Sequence, residues 1–568
     1  MSNTFLLLVF WFFFIPFSLI GYGLVFHRLA IKNSLNFNFG YAGLFGVFLL
    51  IIYSYISHIF IPHLKLHNLF ILTVGFLSYL FFFYKNKNSA LKETVIVLIV
   101  LLILFISFLI FKNHDDFSYY HFPYTYFLTQ HDLSIGLGNF GHGFRTPSSI
   151  FYLNSLFYLP FVDYYLFNMG AVLILCYSNI IFLHNIYDNL SKKKIKLNNN
   201  FVRVLSLFAF AFINIFFYRI GEHGTDKSAQ ILILLFFIEI AYFLNLKSPN
   251  KNNLIYIYLL LGLIVSFKAF YFLYFIVLIP LFFYVKNNKK KLFGTFIFLA
   301  WNKIFFLFSL LIFFILITNF LSSGCFIYPV YFTCLDTMSW SIPVSEVKQM
   351  NNWYELWSKA GANPNFRVSN PLEYINSFNW ISNWIDTYFF NKVSDFLYGI
   401  SALALIIYVF FLNIKKKINH KDINLKNIYI VILILFIEWF YNHPSLRYGG
   451  YSLIALFVFI PISRFLDRRD IYSDIFLRNS TIIVMITITI FFTRNINRIH
   501  NEYKKYSYNP LNYSFYNTTV DDFRIEEKMK NILNKNMLCK QKNDLNRCLG
   551  EIIKIHTKLG KIIYNNKK

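Results

Sequence analysis

Charge is what this sequence has least of. Only 14% of its 568 residues are Asp, Glu, Lys or Arg, against roughly 25% in an ordinary soluble domain. With 57% hydrophobic residues, that shortage excludes a soluble enzyme, a disordered chain and a fibrous protein. Acids are scarcest: 27 Asp and Glu stand against 53 Lys and Arg. Cysteine is rare too, five in all, and no Cys-x-x-Cys pair of the metal-binding kind occurs. What fills the chain is aromatic and aliphatic bulk, including 73 Phe, 41 Tyr and 8 Trp.

A helix needs about 20 mainly apolar residues to cross a hydrocarbon core of ~30 Å. Fourteen segments approach this: 4–26, 39–61, 68–84, 94–111, 164–187, 202–219, 228–246, 254–267, 269–285, 303–321, 395–413, 427–441, 450–465 and 479–493. The first has no basic leader and no small-residue cleavage site, so it reads as a span and not as a signal peptide. The expected fold is an all-α polytopic membrane protein with 12–14 transmembrane helices. Residues 1–111 form the N-terminal helices, 164–321 the central helices and 395–493 the C-terminal helices. Segments 112–163, 322–394 and 494–568 stand outside the membrane.

Alternate connections, from Arg28 and Lys32 to Arg464, Arg468, Arg469 and Arg478, hold 26 cations. The opposite short connections hold five: Lys65, Arg219, Lys227, Lys268 and Arg447. The positive-inside rule puts the richer side in the cytoplasm. Both termini and the three long segments then face outward from a bacterial inner membrane. The tail carries 16 cations and seven acids, but long segments escape the rule. Cations scattered among spans speak against a nucleic-acid partner. Four cysteines fall on the outer side and allow three pairings. The simplest joins Cys325 to Cys334 and Cys539 to Cys548 in an oxidising periplasm; the alternative is free thiols.

The outer connections hold the ionisable residues. In HDDFSYYH, Asp115 and Asp116 follow a purely apolar span and His121 follows them. Carboxylates and imidazoles of this kind suit an acid/base pair or a site for Mg, Mn or Zn. The plain alternative is a solvated loop whose acids cap a helix. Further along, Gly136, Gly138, Gly141 and Gly143 surround Asn139, so backbone can approach a ligand, and Arg145 follows. RIGEHGTD, 219–226, crowds Arg219, Glu222, His223 and Asp226 at a membrane boundary, where ionisable groups are costly unless paired or functional. Lys268 stands alone between two apolar spans, free to snorkel to the lipid surface or to hold a phosphate. NHPSLRYGGY presents His443 and Arg447 on a tight turn, either as interface anchors or as anion ligands. Residues 524–537 and 545–563 show helical apolar spacing. The large loop holds Trp340, Trp353, Trp357, Trp380 and Trp384. The pairs 353/357 and 380/384 each share a helix face, which favours packing in the membrane interface over stacking on sugar rings.

Taken in order, HDDFSYYH, GLGNFGHGFRTPSS, R-x-x-E-x-G-T-D, Lys268, SGCFIYPVYFTCLDTMSW and the Arg447 turn resemble the GT-C type of membrane glycosyltransferase. The chain is particularly similar to a bacterial branch of large envelope membrane proteins. The acidic motif follows the fourth span here, whereas GT-C enzymes commonly carry it after the first. The resemblance implies sugar transfer from a polyprenyl-phosphate donor to an envelope glycan or lipid acceptor. It gives Asp115, Asp116 and His121 catalytic roles, with a divalent metal (Mg or Mn) on the two aspartates as one option. Arg145, Glu222, Asp226, Lys268, His443 and Arg447 would bind substrate and its phosphate. The alternatives are a polymerase or ligase of lipid-linked glycans, and a transporter or flippase. The enzyme reading requires Asp115, Asp116, His121, Arg145, Glu222, Asp226, Lys268 and Arg447 to line one outer-leaflet cavity open to lipid. It also requires the aspartates to lie within about 20 Å of Lys268.

Overall fold

A computed structural model describes residues 3–30, 38–187, 200–222, 224–246, 250–289, 292–300, 302–362, 368–412, 425–468, 473–523, 553–558 and 561–566. His223, the Cys539–Cys548 pair, segment 524–537 and many of the inner-side cations lie outside the described residues.

Each apolar run has become a helix, the form in which a segment in hydrocarbon satisfies its own backbone. The first group is α1 (Asn3–Ala30), α2 (Phe39–His58), α3 (Lys65–Lys85) and α4 (Lys87–Phe108). The first loop then folds as a π-helical turn, Phe117–His121, followed by α5 (Phe122–Gln130) and α6 (Ser149–Ser155). The central helices are α7 (Met169–Tyr187), α8 (Asn200–Phe216), α9 (Thr225–Leu244) and α10 (Leu254–Phe267). Lys268 breaks the chain, and a 3-10 stretch, Ala269–Val277, leads to α11 (Leu278–Lys289). Next come α12 (Leu292–Ala300) and α13 (Lys303–Ser323). The large loop carries α14 (Val344–Lys359), α15 (Pro371–Ile375) and α16 (Ile381–Trp384). π-helical Ile385–Val393 joins it to α17 (Ser394–Phe410). The last helices are α18 (Lys426–Asn442), α19 (Gly450–Asp467) and α20 (Ser473–Tyr506).

Among the described residues, eleven helical segments are long and apolar enough to cross a membrane, and α8 and α10 are shorter apolar helices. The chain is an all-α polytopic protein, with one hairpin near its end among the described residues. Helices α2, α7 and α9 form the centre, each with 83% of its apolar window buried, whereas α3 buries 28% and α13 33%. The outer helices turn large side chains outward, among them Phe81, Leu102 and Phe313. An apolar surface of this extent belongs against lipid and not water.

Helix ends sort onto two faces. Phe5 of α1 meets Phe105 of α4 at 5.9 Å between ring centroids. Arg498 of α20 donates to Ile106 O and Leu109 O on the same face. On the opposite face Glu93 accepts from Phe39 N and from His184. The start of α1, the first loop and the end of α20 thus share one face, which also carries the large loop.

Three expectations are corrected. Helix α20 runs on to Tyr506, well past residue 493. In segment 545–563, residues 553–558 are a strand pairing antiparallel with 561–566, not helix. The reason is tertiary: Ile135 N donates to Ile562 O and Tyr564 N to Ile135 O, so the first loop templates the hairpin edge. Trp380 and Trp384 are buried in protein, 0% and 5% exposed, not laid in the interface. Cys325 and Cys334 are joined as a disulfide.

Glycine lets the first helices touch backbone to backbone. A Cβ on Gly46 would lie 1.9 Å from Leu19 O, and one on Gly23 1.7 Å from Ala42 O. Small residues at such crossings let membrane helices gain dispersion energy. Gly46→Val is expected to destabilise the protein by at least the roughly 1–3 kcal/mol of an overpacked core. Gly141→Ala, where a Cβ meets nothing within 4 Å, is expected to be neutral. Thermal unfolding in detergent measures both; equal midpoints would refute the close-packing account.

Candidate functional site

The first loop, the start of α9, the α10 break and the 443–449 turn converge on one cavity of about 1610 Å³. Asp115, Asp116, His121, Glu222, Asp226, Lys268, His443 and Arg447 all line it. At its centre is a chain of alternating charge. Arg447 bridges two carboxylates, its Nη2 donating to Asp116 Oδ2 and its Nε to Asp226 Oδ2 at 2.5 Å. Asp226 Oδ1 accepts from Lys268 Nζ, and Lys268 rests over the Tyr448 ring, 4.5 Å from its centroid. Asp116 and Lys268 are therefore linked through only two intervening side chains.

Local structure sets each group. Asp116 stands at the start of the π-helical turn, an irregularity frequent at functional sites. Asp226 lies in the first turn of α9 but caps nothing, because its carboxylate is taken by Lys268 and Arg447. Lys268 is the one extended residue between α10 and the 3-10 stretch, φ −159° and ψ 139°. Arg447 sits on a turn pinned from several sides. Trp384 Nε1 donates to Pro444 O at 2.9 Å and Trp439 Nε1 to Ser445 O at 2.8 Å. Leu446 N donates to the Tyr388 hydroxyl at 3.0 Å, and Gln230 Nε2 to Arg447 O at 3.0 Å. Gly449 closes the turn at φ +102°, a conformation glycine adopts without cost.

Burial pulls against ionisation here and the partners push back. Burial raises the Asp116 pKa, but Arg447 and the neighbouring histidines outweigh it and hold the carboxyl below its usual value. Burial lowers the Arg447 pKa, yet Asp226 and Asp116 hold it well above normal. Burial lowers Lys268, an effect Asp226 offsets in part. His121 is pushed by burial to about 3 and His443, by burial and nearby lysines, to about 4. Both imidazoles are neutral at neutral pH. His121 Nε2 and His443 Nδ1 are buried without a hydrogen-bond partner.

Several sequence expectations meet a different arrangement. Arg145 does not line the cavity. Its guanidinium donates to Gly138 O (3.0 Å) and the Tyr328 hydroxyl (3.3 Å) and pairs with Glu346 at 2.7 Å, tying the first loop to the large one. The glycine stretch divides: a Cβ on Gly136 would meet Tyr564 O at 2.1 Å and one on Gly138 Ser322 O at 2.8 Å, so protein fills that part, whereas Gly143 lines the cavity. Asn139 donates to Trp340 O and Tyr564 O. Glu222 is held twice by Arg219, at 2.9 and 2.5 Å. Asp115 is 92% exposed beside Lys112, while Asp116 turns inward. The paired aspartates therefore do not form a common donor set. Among the described residues no three His, Cys, Asp or Glu side chains group as a metal site. Gln230, Tyr388, Trp439 and Tyr448 were not singled out from the sequence. Gln230 carried a readable signal: an amide inside an apolar span, four residues after Asp226.

Breaking the central bridge strands two carboxylates. Arg447→Gln is expected to destabilise by about 2–3 kcal/mol at pH 7, less than the roughly 3–5 kcal/mol of a fully buried pair, because Arg447 keeps 30% side-chain exposure. The native Asp116 pKa is depressed, so its contribution is complete above the unfolded value and lost as pH falls through the folded one. The gap between wild type and Arg447→Gln should narrow in acid, as protonation relieves the stranded carboxylates. Melting curves from pH 7 to 3 test this; a gap independent of pH would refute it.

No curated protein matches the chain, and no solved structure does. One family pattern matches, and it spans residues 5–454, which include the whole ionic chain. The chain belongs to the family described as Domain of unknown function (DUF8201).

Proposed function

We propose that this protein is a GT-C-like integral glycosyltransferase with about 14 transmembrane helices in a bacterial inner membrane. It transfers a sugar from a polyprenyl-phosphate donor to an envelope glycan or lipid acceptor on the outer face. One observation carries the reading: two carboxylates and two cations from four distant parts of the chain meet in a single cavity. That cavity also has an apolar side. Leu273 and Phe332 line it while 40% and 79% exposed, so its wall reaches the apolar surface from which a lipid would enter.

The chemistry follows from these groups. Lys268 and Arg447 neutralise the phosphate, and their charge grows in value as the leaving group becomes more anionic. Both keep N–H groups for it: Arg447 uses Nε and Nη2 on the aspartates, leaving Nη1, and Lys268 gives one N–H to Asp226. A phosphate on Arg447 competes with Asp116 for the guanidinium. Released from its cation but still half-buried, Asp116 becomes a stronger base. The acceptor oxygen attacks the anomeric carbon and gives its proton to Asp116. The bond from that carbon to the phosphate oxygen breaks, and its electron pair leaves with the polyprenyl phosphate. Asp226 holds Lys268 and Arg447 in place throughout. Every step uses side chains of the chain itself.

Transfer from a radiolabelled polyprenyl-phosphate sugar in proteoliposomes is the test. Asp116→Asn is expected to lose about 10²–10⁴-fold in rate, the usual worth of a general base. Lys268→Met is expected to lose about 10²–10³-fold, as for an oxyanion donor. Exposed Asp115→Asn should turn over like wild type. Undiminished transfer by Asp116→Asn would remove the base from the mechanism.

A further inference from the structure

The same cavity holds a chamber of aromatic and polar groups beside Lys268 that the steps above do not use. Its hub is Tyr448, whose ring carries Lys268 on one side. Around that ring stand Trp357 at 5.8 Å and His443 at 5.9 Å between centroids. Helix α14 brings both Trp353 and Trp357 to the cavity wall, with Trp353 46% exposed. The end of α18 contributes Glu438 and His443 to the same lining.

The polar atoms of this chamber are incomplete. Glu438 Oε1 accepts from Asn442 at 3.1 Å, but Glu438 Oε2 is buried with no partner, as is His443 Nδ1. The hydroxyls of Tyr271 and Tyr274, on the adjoining 3-10 stretch, are buried without partners as well. That stretch packs against the chamber through Phe270, whose ring lies 5.8 Å from His443. An unsatisfied buried polar group costs about 1–3 kcal/mol. Tyr271 and Tyr274 lie behind the wall, but Glu438 and His443 line the cavity itself and call for a ligand that completes them. Flat aromatic faces beside hydrogen-bonding atoms match a pyranose ring, which has an apolar C–H face and a polar rim of hydroxyls.

We propose that this chamber is the subsite for the sugar of the lipid-linked donor: Trp357 and Tyr448 face the ring, and Glu438 and His443 bind its hydroxyls. The inference rests on the lipid-phosphate reading above. It assigns the donor and not the acceptor because the anomeric oxygen is bonded to phosphorus. A sugar whose phosphate sits on Lys268 must therefore lie against Tyr448, which Lys268 touches. The acceptor is left the Asp116 and His121 end.

The experiment measures binding to the detergent-solubilised full chain. The probes are undecaprenyl phosphate and undecaprenyl-phosphate glucose, mannose and galactose. Wild type should bind at least one sugar-bearing lipid about tenfold or more tightly than the bare lipid, since a site built for hydroxyls rejects a ligand lacking them. Glu438→Gln keeps an oxygen for Asn442 and should fold; Trp357→Ala provides a second variant. Each should abolish the preference and leave undecaprenyl phosphate affinity unchanged. A wild type that binds all four lipids equally overturns the sugar subsite while the phosphate reading stands. So does a preference that survives in both variants. A wild type that binds none of the lipids overturns the proposed function itself.

Discussion

The bridge from Asp116 through Arg447 to Asp226, and on to Lys268, is the constraint around which the loop-bearing face of this protein is arranged. Moving one such charge out of water costs several kcal/mol. Two opposite charges in contact recover roughly 4 kcal/mol at the effective dielectric of a partly buried site. Each member of the set is stabilised in place by the others. The bridge also joins residues far apart in sequence, with Asp116 and Arg447 separated by 331 positions. The first loop, α9, the α10 break and the α18–α19 turn must therefore come together for any of these charges to be tolerated.

The surrounding structure serves that meeting. Four hydrogen bonds from α9, α16, α18 and the π-helical segment fix the Arg447 turn, so the guanidinium is positioned before any ligand arrives. Arg145 and Asn139 fasten the first loop to the large loop and the terminal hairpin. Away from this site the bundle is held by backbone contact at the glycines of α1 and α2, by apolar packing, and by a few polar pairs such as Tyr41 with Glu239 and His184 with Glu93. A rigid apolar scaffold on one side and a charged, incompletely satisfied cavity on the other is the division expected of a site whose ligand has a lipid tail and a polar head.

The residues were easier to find than their partners. Asp116, Asp226, Lys268 and Arg447 stood out because an ionisable group at a membrane boundary needs a reason to be there. Arg145 stood out for the same reason, yet its partners Tyr328 and Glu346 lie about two hundred positions away and no local pattern announces them. The glycine stretch read as room for a ligand, but at Gly136 and Gly138 the room is filled by Tyr564 and Ser322, and of the four glycines Gly143 is the one that lines the cavity. Trp380 and Trp384 had the spacing of an interfacial helix face; what buries them is tertiary packing, Trp384 under the turn it supports and Trp380 against Phe440 and Lys359. The end of the chain had helical spacing and became a hairpin because Ile135 offered an edge.

Composition and spacing by themselves determined that this chain is a helical membrane protein, where most of its spans begin and end, and which few ionisable residues needed explaining. Those conclusions depend on what each residue costs in hydrocarbon, a property a residue carries with it. The tertiary structure alone decided which charges pair, that Asp116 faces inward and Asp115 outward, and that Arg145 is a tie between loops. It also decided that Glu438 and His443 face a chamber beside Lys268. Those outcomes depend on distance and burial between segments hundreds of residues apart, and the energy of a charge is set by its neighbours.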